Sequence, residues 1–332
     1  MQKNHIDLTS AEISCLWSSY LADSMFICVF KYFIQHIKDE EIKNLVEHAL
    51  DLSQQHVEII QGIFKTEEIA IPQGFTDQDI NLKVKPLFTD NFCLFYVKNM
   101  AEGGLMVNGD ILPNIYREDI YSFYSKCLTS TLELHGETTN LLLEKGVAVR
   151  PPKIPKPEKV EFIHKQSFLF EFLGERRPLT GQEVTHLYSN MQTNAIGAAI
   201  ASAFTQVSSS KKVREHVKRG KDILEKHTKV MNSYLESCDL PVPISYKDEI
   251  TTSKEAPFSE KLMVFHIAMN VTARIGIYGI SISQSQRSDL TIDYSRLLTE
   301  IIAYGEDGVN IMIDKEWVEK PPMAADRKKL RK

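Results

Sequence analysis

The sequence predicts an all-α protein made of two tandem four-helix bundles. Three observations carry this reading. Apolar residues recur at the 3.6-residue helical period through most of the chain, strand signals are nearly absent, and the second half repeats the first in register. At 332 residues the chain suits two domains of ordinary size better than one core.

The repeat emerges when the chain is shifted by 171 residues. "LTSAEISCLWSSY" (8–20) then lies over "LTGQEVTHLYSNM" (179–191), and the same register sets Asp51 on Asp222, His56 on His227 and Pro72 on Pro243. One residue is lost in the following loop. A shift of 170 then sets Phe88 on Phe258, Phe95 on Phe265, "REDIYSFYSKCLT" (117–129) on "RSDLTIDYSRLLT" (287–299) and Asn140 on Asn310. The expected organisation is a first bundle over 1–152, a linker over 153–178, a second bundle over 179–325 and a basic tail over 326–332. The linker begins rich in proline and lysine, which favours an extended chain. Its "SFLFEFLG" portion is too apolar to hang free and is expected to pack on the bundles.

Within each unit four helices are expected, in the first over about 10–37, 39–65, 88–110 and 117–145. Their counterparts run over about 181–207, 210–237, 258–284 and 287–315. Thr9 and Thr180 each stand three residues before a glutamate, Glu12 and Glu183, which is the capping-box spacing. The segment "VAVRPP" resembles a strand, but it follows Gly146 and ends in two prolines, so it reads as a terminating segment. Arg117 and Asp119, repeated as Arg287 and Asp289, open the fourth helix of each unit. There the aspartate suits the helix dipole and can cap free amides.

Connection lengths set the topology. The first and second helices of a unit are joined by a few residues, as are the third and fourth, so each pair forms an antiparallel hairpin. About twenty residues separate the second helix from the third. A helix of about 27 residues is about 40 Å long, and twenty extended residues span more than 60 Å, so this loop can cross the bundle from end to end. That is the single long crossover of ferritin-like bundles; a plain up-down bundle with a slack loop fits the same lengths.

The stretches "GERRPLTGQEVTHLYSN", "VREHVKRGKDILEKH", "PFSEKLMVFH" and "SRLLTEIIAYGEDGVNIMIDKEWVEKPPMAADRKKL" resemble a family of tandem ferritin-like proteins from spore-forming bacteria, domain-of-unknown-function family 3231. The resemblance covers nearly the whole chain. It implies a pair of ferritin-like bundles, a looser kinship to spore coat protein F, and no particular reaction.

A di-iron bundle needs glutamate from two helices and Glu-x-x-His from the other two. His56 and His227 are in register for this, but Ser53 and Leu224 stand where their carboxylates should be. Asp51 and Asp222 lie five residues earlier, on another face. The first helix offers Asp23 in one unit and Asn194 in the other. The fourth offers Glu133, His135 and Glu137, answered by Ala303, Gly305 and Asp307. What remains is a mononuclear zinc or iron site using His56 with Glu137, or His227 with Asp307. The plainer alternative is that the repeated histidine makes a buried hydrogen bond. The small-residue runs "NAIGAAIASAF" and "GIYGISIS" suit tight helix packing or, alternatively, a small apolar-ligand pocket.

No GxSxG, P-loop, dinucleotide-binding or HExxH pattern is present. A net charge of -5, with its one dense basic run confined to the tail, argues against a nucleic-acid partner. No window approaches the roughly 18 uninterrupted apolar residues of a membrane span, and no secretory signal opens the chain, so a cytoplasmic location is expected; the family resemblance implies an association with the spore. Five scattered cysteines without a CxxC pair read as small buried hydrophobes. The function these features suit is that of a structural or interaction protein meeting protein partners, or itself, through helix faces.

Overall fold

The structure is a computed structural model describing residues 6–164, 168, 177–242 and 245–331. Eight long helices appear in order: α1 (Ser10–His36), α2 (Glu40–Thr66), α3 (Asp90–Ile111), α4 (Glu118–Glu144), α5 (Gly181–Val207), α6 (Lys211–Glu236), α7 (Glu260–Gln284) and α8 (Ser288–Asp314). Each lies within two residues of its expected span. Among the described residues there are no strands, and residues 147–150 have no regular structure. Linker residues 153–164 form no helix or strand and are exposed. Apart from Phe168, "SFLFEFLG" lies outside the described residues.

Both capping boxes form, with Thr9 and Thr180 accepting the amides of Glu12 and Glu183. The same glutamates reach further. Glu12 accepts the amides of Tyr116 and Arg117 at 3.0 and 2.8 Å, and Glu183 those of Gln286 and Arg287 at 3.0 and 2.9 Å. Each thus ties the start of one helix to the start of another. The expected capping role of Asp119 and Asp289 is therefore only partly met: each accepts the next amide and pairs with the arginine two residues before it.

Helix directions follow from these ties. Glu12 holds the start of α1 beside the start of α4, and Asp90 accepts the amides of Lys38 and Asp39, setting the start of α3 beside that of α2. Lys145, at the end of α4, pairs with Asp39 and Glu41 at the start of α2. So α2 runs parallel to α3 and antiparallel to α4, and residues 67–89 travel back along the bundle. The second repeat does the same, with Glu260 on the amide of Ser210 and Asp314 on Lys212.

The returning segments also join the repeats. Ile80 bridges Phe258, and Phe88 bridges Ile250. Under the 170-residue shift these two bridges exchange, since Ile80 corresponds to Ile250 and Phe88 to Phe258. The flanking bonds exchange too: the amide of Asn81 donates to Pro257 and that of Thr251 to Leu87, while Ser259 donates to Asp79 and Thr89 to Glu249. Phe75 against Phe265 and Tyr246 against Phe95 form another such couple. This reciprocity defines a two-fold relation between repeats of one chain. The main buried apolar cluster is accordingly continuous from Met25 to Met312, with a smaller cluster at the end of the first repeat around Leu16, Phe64 and Tyr124.

By length and composition α1 and α7 could each cross a membrane. Here their most apolar faces lie in the shared core, with Met25, Phe30 and Tyr32 of α1 and Leu262, Met263 and Tyr278 of α7 at most 1% exposed.

Candidate functional site at the bundle centres

The repeated histidine of the second helix marks the middle of each bundle. In the first repeat His56 Nδ1 lies 3.3 Å from Asp23 Oδ2, and its ring meets Phe123 edge-on at 5.8 Å. Burial alone would lower its pKa, but hydrogen bonding to Asp23 and to the Cys127 side chain outweighs this and pushes it up to about 10. His56 is therefore an imidazolium at neutral pH.

In the second repeat Asn194 replaces Asp23, and a longer network takes over. His227, fully buried, has Nδ1 3.1 Å from the Tyr278 hydroxyl and Nε2 3.1 Å from Glu300. Burial lowers its pKa and the glutamate only partly opposes this. Asn194 donates to the Tyr278 hydroxyl at 2.9 Å and accepts from Arg274 Nε at 3.0 Å. Arg274 is itself buried and donates further to the carbonyls of Thr193 and Asn270 at 2.7 and 2.8 Å. These acceptors are neutral oxygens, and desolvation lowers its pKa to about 10.

Room for that guanidinium comes from α5. A Cβ at Gly197 would lie 2.0 Å from Arg274 Nη2, and one at Gly220 of α6 would lie 2.2 Å from the Tyr304 hydroxyl. The small residues of "NAIGAAIASAF" thus admit large side chains from facing helices. The cavity left beside Gly197, Arg274 and Tyr304 is about 10 Å³, at the threshold for a single water.

The carboxylates expected beside the histidines are elsewhere. Glu137 meets His48 at 2.8 Å, and Asp307 pairs with Arg219 at the surface. Antiparallel register is the reason. Lys212, Arg219 and Lys226, seven residues apart on α6, face Asp314, Asp307 and Glu300 in reverse order on α8. This brings His227 level with Glu300 and leaves Asp307 two turns away. The corresponding register of α2 and α4 sets His48 against Glu137 and His56 against Phe123 and Cys127. Among the described residues no three His, Cys, Asp or Glu side chains gather as a metal-holding group. Cys28, Cys93 and Cys127 are buried, Cys15 and Cys238 partly so, and all five are free thiols.

One further polar contact falls at equivalent positions in both repeats, with the tyrosine kept and its partner changed: Ser19 with Tyr124 at 3.2 Å, and Asn190 with Tyr294 at 3.2 Å. The repeat alignment sets Tyr124 on Tyr294, so this pair was detectable from sequence. Arg274 was not, because one charged residue in an apolar helix gives no sign that it points inward.

The sequence matches the model of the family described as a protein of unknown function, DUF3231, over residues 1–160 and again over 167–330. The chain belongs to the DUF3231 family. Both matches coincide with the repeats, so the tandem arrangement consists of two DUF3231 units. A relative of one-unit size is the uncharacterised protein YvdQ of Bacillus subtilis, 22% identical over 147 residues, which make up 42% of this chain and 85% of YvdQ. A crystal structure of a Bacillus halodurans protein provisionally named a spore coat protein is similar over 45% of this chain and 98% of that one, at 18% identity and a TM-score of 0.42.

Proposed function

We propose that this DUF3231 protein is a non-enzymatic scaffold, a pair of ferritin-like bundles kept for their shape, acting as a spore-associated structural or interaction protein. The units are read as 1–152 and 179–325, joined by the linker. The observation that carries this reading is what the two repeats have in common. The ties at the helix starts, Glu12 and Glu183, and the reciprocal crossover contacts recur in both. The bundle centres differ at Asp23 and Asn194, Cys127 and Leu297, and Gly104 and Arg274. Helices α1 to α4 run up, down, down, up, the order of a ferritin-like crossover bundle, which supports the fold reading. Spore association follows from the family resemblance.

The alternative, a mononuclear zinc or iron centre at His56 or His227, fits the donor chemistry poorly. His56 holds a proton toward Asp23, and His227 shares its network with the buried Arg274 cation. Two measurements test this reading. A fluorescent fusion in sporulating Bacillus subtilis should collect at the forespore, and diffuse fluorescence throughout sporulation would remove the spore assignment. Elemental analysis of untagged protein should find less than a tenth of an equivalent of zinc or iron; stoichiometric metal would replace the scaffold reading.

A further inference from the structure

The chain leaves α4 and α8 by the same turn. The amide of Val147 donates to Leu142 at 3.0 Å and that of Trp317 to Met312 at 2.8 Å, with Gly146 and Glu316 in the left-handed region at φ of 69° and 59°. The 170-residue shift pairs each of these residues with its counterpart. Both of the straps that follow end on the other repeat. The Val149 carbonyl accepts from Gln192 of α5 at 3.2 Å, and the carboxylate of Glu319, the counterpart of Val149, accepts the amides of Gln73 and Gly74, both at 2.8 Å.

The straps differ in what holds them. Val147, Ala148 and Val149 all pack on the main apolar cluster, whereas of residues 315–320 only Trp317 does so, and Val318 is exposed. The first strap turns on glycine, which adopts a positive φ freely; the second turns on Glu316, where the Cβ makes that conformation strained. The Glu319 carboxylate therefore holds the second strap against its own turn.

The segment that receives Glu319 has other supports. Phe75 donates its amide to Ser24 of α1 at 3.1 Å, while Lys261 of α7 donates to the Gly74 carbonyl at 2.8 Å and stands over the Phe75 ring. Removing the carboxylate leaves residues 73–75 tied to both repeats.

We propose that residues 315–320 form a releasable latch between the repeats. Glu319 holds it shut on the first repeat, Glu316 is the hinge whose strain favours release, and the latch opens while the repeats stay docked through their crossovers. This is a device of the fold that goes beyond the scaffold reading and does not depend on it.

The test is amide hydrogen exchange on the full chain. Gln73 and Gly74 report one side of the latch, Trp317 the other, and Val97 and Tyr278, buried in α3 and α7, report global opening. In the wild type the three latch amides should exchange faster than the two core amides. Glu319→Gln weakens two charge-assisted bonds and should speed all three latch amides about tenfold or more, with the core amides unchanged. Trp317 is the decisive reporter, because its amide bonds to Met312 and not to Glu319. Glu316→Gly relieves the turn and should slow the same three amides about threefold. Acceleration at Gln73 and Gly74 with Trp317 unmoved would mean that Glu319 merely caps two amides, and acceleration of the core amides in step would mean that the strap opens only on global unfolding. Either result overturns the proposal, as does Glu316→Gly exchanging at the wild-type rate or faster.

Discussion

The hydroxyl of Tyr96 lies 3.0 Å from Nε2 of His266, and His266 is the residue that occupies the position of Tyr96 in the other repeat. The pair therefore sits on the two-fold relation between the repeats, where α3 and α7 meet. Both side chains are buried, and burial, with the nearby Arg274 charge, holds the histidine neutral, its pKa down at about 3.

Tyr96→Phe removes the hydroxyl and leaves a buried imidazole nitrogen without its partner. The expected loss is about 1–2 kcal/mol of unfolding free energy, measured by urea denaturation at pH 7. A change within experimental error would show that this bond contributes nothing to holding the repeats together.

Gly197→Ala brings a methyl group against the Arg274 guanidinium. Destabilisation of about 2 kcal/mol or more is expected from overpacking a buried charge. The double variant with Arg274→Met should recover most of it, since an apolar side chain of similar length needs no hydrogen bonds there. Additive losses in this double-mutant cycle would place the strain elsewhere.

Stability should fall at both ends of the pH range. His56 is raised to about 10, above its unfolded value of about 6.5, so its contribution is complete below about pH 6.5 and is lost as pH rises toward 10. His216 and His266 are depressed to about 4 and about 3, so the unfolded chain binds more protons than the folded one below about pH 6.5, and stability drops as pH falls through that window. Asp23→Asn, which installs the residue found at position 194, should flatten the alkaline limb and leave the acid limb in place. Thermal midpoints taken from pH 4 to pH 10 would read both limbs, and an unchanged alkaline limb in the variant would refute the assignment to His56.

Cutting the linker should not separate the halves. Lys153 and Lys159, neither followed by proline, lie in an exposed segment without helix or strand, whereas the crossover contacts are reciprocal and partly to fully buried at Ile80, Phe88, Ile250 and Phe258. Brief trypsin treatment should give two fragments that co-elute on size exclusion and part only in denaturant. Separate elution under native conditions would mean that the covalent connection is what keeps the repeats in contact.

The fold was legible because its signals are local or repeated. Thr9 and Thr180 mark helix starts within four residues, and the shift of 171 then 170 puts each element in the second half under one in the first. The choice between crossover and slack loop was not legible, since both satisfy the same loop length; it turns on distant contacts such as Asp90 on the amides of Lys38 and Asp39. The partners of the histidines were misjudged for a related reason. Assigning Glu137 to His56 requires the relative height of α2 and α4, which depends on contacts 89 residues apart such as His48 with Glu137. The inward turn of Arg274 depends on the missing side chain of Gly197 on another helix, and no pattern within α7 carries that information.

Two separate identical chains meeting across a true two-fold would have to place the same residue on both sides of the axis. Tyrosine would face tyrosine, or histidine would face histidine. Joining both halves in one polypeptide removes that requirement. The two copies are free to become different where they touch, and the pseudo-axis holds a hydroxyl beside a ring nitrogen, a combination that a two-fold between identical subunits cannot place on its axis.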